Sequence, residues 1–180
     1  MFLALLPVQA CSAFDPDGGT LGGPGTCGTS GAAPSTGAWD EQAAAFEQRV
    51  LELANQRRAQ GGCCGATCFG ASRALTPSEN LRAAARLHAR DMAEHGLFSH
   101  DSFDGRTFVD RAAEANFRGC SLGENIAQGH QSPEAVVAGW MASEGHCANI
   151  LSRSFSELGV GFYDDVQAEL RRLWVQDFGG

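Results

Sequence analysis

Among its 180 residues the chain has no lysine, a single tyrosine and no basic run interleaved with aromatics. Nucleic-acid surfaces need clustered cations to neutralise phosphates, so nucleic acid is not an expected partner. Acidic residues outnumber arginines 21 to 13, a net charge of −8. That excess favours solubility and names no substrate. No apolar run approaches the ~20 residues that a membrane-spanning helix requires. The G-x-S-x-G elbow that presents a hydrolase serine is also missing. What remains is a 43% hydrophobic chain, enough for one domain with a real core plus a tail.

Seven cysteines in so short a chain point to an oxidising compartment. The N-terminus agrees with export. Met1 to Leu6 is apolar and runs into P-V-Q-A-C, which resembles the lipobox of a bacterial lipoprotein signal, with Cys11 as the acylated residue. An ordinary signal peptide is the alternative. No positive n-region precedes the run, and it is shorter than the about 7 to 15 residues usual for the apolar part of a signal. Residues 1–11 are therefore read as a signal-like segment. Residues 12–39 are rich in Gly, Ser, Thr and Pro and read as a flexible tether, with Cys27 inside it. The folded domain is expected over 40–180.

Asp40 is expected to cap a helix running through Arg58, with Ala43, Phe46, Val50, Leu53 and Ala54 inward and Gly61-Gly62 as the stop. The cluster Cys63, Cys64, Cys68 has no second Cys/His pair at zinc-finger spacing downstream, so a stapled loop is preferred to a metal site. Thr76-Pro77-Ser78-Glu79 predicts a second helix capped by Thr76. That helix should end at Gly96, with Leu81, Ala84, Ala85, His88 and Met92 inward. His88 is read as a hydrogen-bonded core residue, and His95 as a cation at the negative helix end. Thr107 and Asp110 start a third helix, and Ser132-Pro133 the last long one. Leu158–Phe162 and Leu173–Phe178 read as a buried antiparallel hairpin.

Five motifs then line up in order: F-S-H (98–100), G-E-N-I-A (123–127), W-x-x-S-x-G-H-x-x-N-I-L (140–151), L-G-V-G (158–161) and W-x-Q-D-F-G (174–179). Together they resemble the CAP superfamily of cysteine-rich secretory, antigen 5 and pathogenesis-related proteins, in its bacterial branch, over residues 41–180. The resemblance implies an α/β fold, a three-layer α/β/α sandwich with a central antiparallel sheet. It also implies a cleft of two histidines and two acids, in which His100, His146 and Glu124 take three places. The second acid's position holds Ser143. Glu144 is adjacent but about 100° round the helix. Bacterial members similar to this chain link the cysteine after the first helix to that of G-H-C, which implies a bond from Cys63, Cys64 or Cys68 to Cys147. Cys120 would take another of the cluster and Cys27 the last.

Chemically, His100 and His146 could hold Zn²⁺ as neutral imidazoles, with Glu124 as a third or orienting partner and water completing the sphere. Without metal, Glu124 could orient one histidine as a general base. As a structural alternative, the three form a buried polar network that fixes the packing. No nucleophile with supporting context appears. The expected role is an exported binding module for a metal ion, a small apolar ligand or a protein partner. A His/Glu hydrolase and a disulfide-stapled surface scaffold are the alternatives.

Overall fold

The computed structural model describes residues 28–180. The signal-like segment, Cys11, Cys27 and the first part of the expected tether lie outside the described residues. From Gly28 onward the stretch read as tether runs against the domain. Gly31 exchanges backbone and side-chain bonds with Asn116 and Asn80, and Asn116 Nδ2 donates to the Ala32 carbonyl. Asn116 can turn toward it because it sits in the left-handed region, at φ 64°.

Helix α1 (Glu41–Gln60) begins where the Asp40 carboxylate accepts the Ala43 N–H at 2.9 Å and ends at Gly61 with φ 68°. Val50 and Ala54 are buried as expected, whereas Phe46 and Leu53 are only partly covered. Glu47 and Arg58 take interior places beside them because both are fully partnered. Glu47 accepts from Arg86, Trp39 and the Phe162 N–H.

The cysteine cluster forms a small hairpin, β1 (Gly62–Cys64) and β2 (Thr67–Phe69), in which Cys63 faces Cys68 and bonds to it. Cys64 is bonded to Cys147, 83 residues away. Closing so long a loop stabilises the fold by about 4 kcal/mol on the chain-entropy account. Cys120 is disulfide-bonded too, but the cluster does not supply its partner, contrary to the expected assignment. Hairpin register has already matched Cys63 with Cys68.

Thr76 and Pro77 are not the start of the second helix. They form β3 (Thr76–Pro77), and α2 (Glu79–His95) begins one residue after Ser78. The reason is a competing set of backbone bonds: Thr76 N–H donates to the Ser156 carbonyl and Ser78 N–H to that of Leu158. α2 ends at Gly96 in the left-handed conformation, and α3 (Phe108–Glu114) carries the full Thr107/Asp110 capping box. β4 (Leu122–Gln128), α4 (Pro133–Met141), α5 (Glu144–Leu151), β5 (Glu157–Tyr163) and β6 (Leu173–Gly179) complete the chain.

The main sheet runs β3-β5-β6-β4, antiparallel except for the short parallel pair of β3 with β5. One face packs on α1, α4 and α5 through Val50, Trp140, Ile150 and Trp174; the other packs on α2 through Ala85, Ala89 and Met92. The chain is thus a three-layer α/β/α sandwich. The L-G-V-G motif sets the spacing of one layer, since a Cβ at Gly159 would fall on the Leu81–Arg82 backbone and one at Gly161 on Ala85–Arg86. Gly161→Val is therefore expected to lower the unfolding free energy by about 3 kcal/mol or more in urea titrations, because backbone cannot step aside as a side chain can.

Candidate functional site

β4 lies at the edge of the sheet, and its side chains alternate between the two faces. Glu124 stands directly opposite Asp177 on β6, and Asn125 directly opposite Gln176. The two pairs therefore serve opposite layers, and each contributes to the site differently.

On the side of α2 and α3, Glu124 is buried and carries two strong contacts. His100 Nδ1 lies 2.7 Å from Oε1, and Arg111 Nη2 donates to Oε2 at 2.5 Å. Burial pushes the Glu124 carboxyl up, but the His100 hydrogen bond and the Arg111 charge outweigh it and hold the group below its ordinary value. Arg111 also pins the loop that carries His100, donating through Nη1 to the His100 and Arg106 carbonyls and to Ser102 Oγ. With Nδ1 engaged, Nε2 of the His100 ring makes no hydrogen bond among the described residues; the side chain is 23% exposed.

On the other side, α5 docks on β4 through amides. Asn125 Nδ2 donates to the His146 carbonyl and to Gln176 Oε1, while Asn149 Nδ2 donates to Asn125 Oδ1 and the Glu124 carbonyl. His146 lies in the first turn of α5, whose first residue is Glu144. Its ring makes no hydrogen bond among the described residues, and its nitrogens are not sealed from solvent. Burial, together with the nearby His100, lowers its pKa to about 4, so it is neutral at pH 7.

The structure thus brings His100 and Glu124 into direct contact, with His146 close by. Glu144 does not stand in for the second acid, for its carboxylate lies against Gly65 in the β1–β2 turn. Among the described residues no three His, Cys, Asp or Glu side chains form a group able to hold a metal ion. The trio also lines none of three cavities of about 220, 560 and 770 Å³.

Two participants were not singled out in the sequence. Arg111 follows a helix cap and carries no local mark of its partner. Asp177 is fully buried opposite Glu124, and burial together with the Glu124 charge pushes its pKa well above its ordinary value. A signal was present: Asp177 sits in a strand with no polar alternation, so its side chain had to be buried. His88 matches its expected role, bonding through Nε2 to the Ser99 carbonyl at 2.9 Å, and burial lowers its pKa to about 4.

A family model for the cysteine-rich secretory protein family, CAP, matches residues 51–178. The chain belongs to that family. It is 35% identical over 136 residues to YkwD of Bacillus subtilis, covering 76% of this chain and 48% of that one, and 31% identical over 123 residues to the membrane protein YlbC of the same species, covering 68% and 33%. The chain thus spans less than half the length of these relatives. Among solved structures, an extracellular SCP-domain protein from Bacillus anthracis is 28% identical with a TM-score of 0.64, over 80% of this chain and 45% of that one. An outer surface protein of Borrelia burgdorferi shares the fold at 18% identity, with a TM-score of 0.59 over 78% of this chain and 92% of that one.

Replacing Glu124 by Gln leaves the buried Arg111 charge unanswered and is expected to cost about 3 kcal/mol or more in urea unfolding at pH 7. Asp177→Asn removes an acid whose ionisation burial and Glu124 already oppose, and should stay within about 1 kcal/mol of wild type. His88 also gives a pH signature. Its folded pKa is depressed, so the unfolded chain binds the extra proton between pH 6.5 and about 4. Relative to His88→Gln, wild-type stability should be level above pH 6.5 and fall by about 1.4 kcal/mol per pH unit below it.

Proposed function

We propose that this is an exported binding domain that takes a divalent metal ion, zinc by ligand chemistry, between the imidazoles of His100 and His146. The observation that carries the reading is the state of the two rings. Glu124 holds His100 by Nδ1 and leaves Nε2 free, while His146 is neutral and unpartnered. A carboxylate behind a histidine is the usual way to fix the tautomer and aim of a metal ligand. Both Glu124 oxygens are already engaged, so it acts as the orienting group, and water would complete the sphere. The zinc would supply a Lewis-acid centre, and the protein's part is to hold two neutral nitrogens.

A small ion suits the site better than a bulky apolar ligand, since the trio lines none of the three cavities. A covalent hydrolase is not favoured because, among the described residues, no hydroxyl or thiol is hydrogen-bonded to either ring. Export is supported by the disulfides Cys63–Cys68 and Cys64–Cys147 and by the extracellular relative from Bacillus anthracis. Among the described residues no helix is long and apolar enough to cross a membrane. A lipid at Cys11 is the mode of attachment proposed with this reading.

Zinc titration by calorimetry should give saturable binding in the wild type and none in His100→Ala or His146→Ala. No wild-type binding, with a large stability loss in both variants, would instead assign the trio to folding.

A further inference from the structure

We propose that the groove between the C-terminal end of α1, the 70–76 loop and the 152–156 turn binds a phosphate ester. Its lining is unlike the rest of this acidic protein. The cavity, about 560 Å³, is walled by Arg58, Arg73 and Arg153 with Ser72, Thr76 and Phe155, and by no Asp or Glu.

Charge accounting makes those arginines stand out. Arg49, Arg82, Arg86, Arg90, Arg106, Arg111, Arg171 and Arg172 are all ion-paired with carboxylates. Five arginines, Arg57, Arg58, Arg73, Arg118 and Arg153, have no carboxylate partner among the described residues, and three of the five line this one cavity. Arg58 is the extreme case, only 2% exposed. Its guanidinium donates solely to carbonyls, those of Arg73, Ile150, Ser152 and Phe155, at 2.6–3.1 Å. Those bonds engage four of its five N–H groups with carbonyl dipoles but give the buried positive charge no carboxylate as compensation, and buried charges are usually paired. An anion in the cavity would provide that compensation.

The walls are also built in advance. Arg58 ties the 73 and 150–155 backbones together, and Ser72 N–H donates to the Arg58 carbonyl at 2.9 Å. Asn55 clamps Leu75 through both its N–H and its carbonyl. Ser72 Oγ sits in the wall with no partner. At the rim, Arg73 and Arg153 are exposed and free to close on a ligand, Arg153 making only one bond, to the Ala71 carbonyl. Two guanidinium forks over a positive floor match the oxygens and double charge of a phosphate monoester. The volume lies within the range of small-ligand sites, and Phe155 with Ala71 and Ala74 offers apolar surface for the ester's carbon part.

The test is calorimetric titration of the full chain with glycerol 3-phosphate at low salt. Arg73→Ala and Arg153→Ala are the variants, Arg90→Ala the control, and circular dichroism verifies folding. Saturable binding that weakens about tenfold or more in each rim variant, and not in Arg90→Ala, is expected for lost charge-assisted bonds. Glycerol alone should not bind. Co-sedimentation with vesicles containing phosphatidic acid, whose headgroup is a phosphate monoester, then separates the sources. Retention that needs Arg73 and Arg153 means the ester is a lipid headgroup, and its absence alongside glycerol phosphate binding means a soluble one. No saturable binding of glycerol 3-phosphate, or binding that survives both rim substitutions, overturns the proposal.

Discussion

A carboxylate sealed inside a protein must be answered by charge, and Glu124 is answered from two directions at once. Arg111 reaches it from α3 and His100 from the loop before α3, so a helix of seven residues and a long loop are both committed to one group on β4. Arg111 spends its remaining donors on that same loop. The edge strand, the third helix and the candidate ligand His100 therefore form one mechanical unit. The position of the imidazole is a consequence of how a buried charge is neutralised.

The opposite face of β4 is solved with neutral amides. Asn125, Gln176 and Asn149 link the strand to α5 without any ion, and so leave the His146 ring uncommitted. One histidine is fixed and the other is only placed, which is a division that suits a ligand arriving between them. Asp177 follows from the same geometry. Standing opposite Glu124 in the interior, it is disfavoured as a second charge, and its pKa is pushed up.

Much of this was legible in the chain. The cap at Asp40, the Thr107/Asp110 box and the stop at Gly96 depend on residues a few positions apart, and each is present as read. His100, Glu124 and His146 were found through ordered motifs. What escaped depends on distant pairing. Thr76-Pro77 carries every local mark of a helix start, yet a parallel partner some 80 residues later claims its backbone. Asp177 acquires its meaning only from a strand more than 50 residues away. Likewise the segment from Gly28, poor in apolar side chains, is held at its carbonyls by the side-chain amides of Asn80 and Asn116, which composition does not reveal.

The adjacent cysteines 63 and 64 have unequal fates, and this orders how the domain responds to reductant. Cys63 and Cys68 lie on the surface of a hairpin whose strands are paired in any case, whereas Cys64 and Cys147 are buried in the core. A thiolate in solution reaches the first bond without unfolding anything and the second only when the core opens. Reduction of the Cys63–Cys68 bond thus leaves the sandwich native with a new surface dithiol. Loss of the inner bond waits on unfolding itself, so its rate of reduction reports how often the sandwich comes apart.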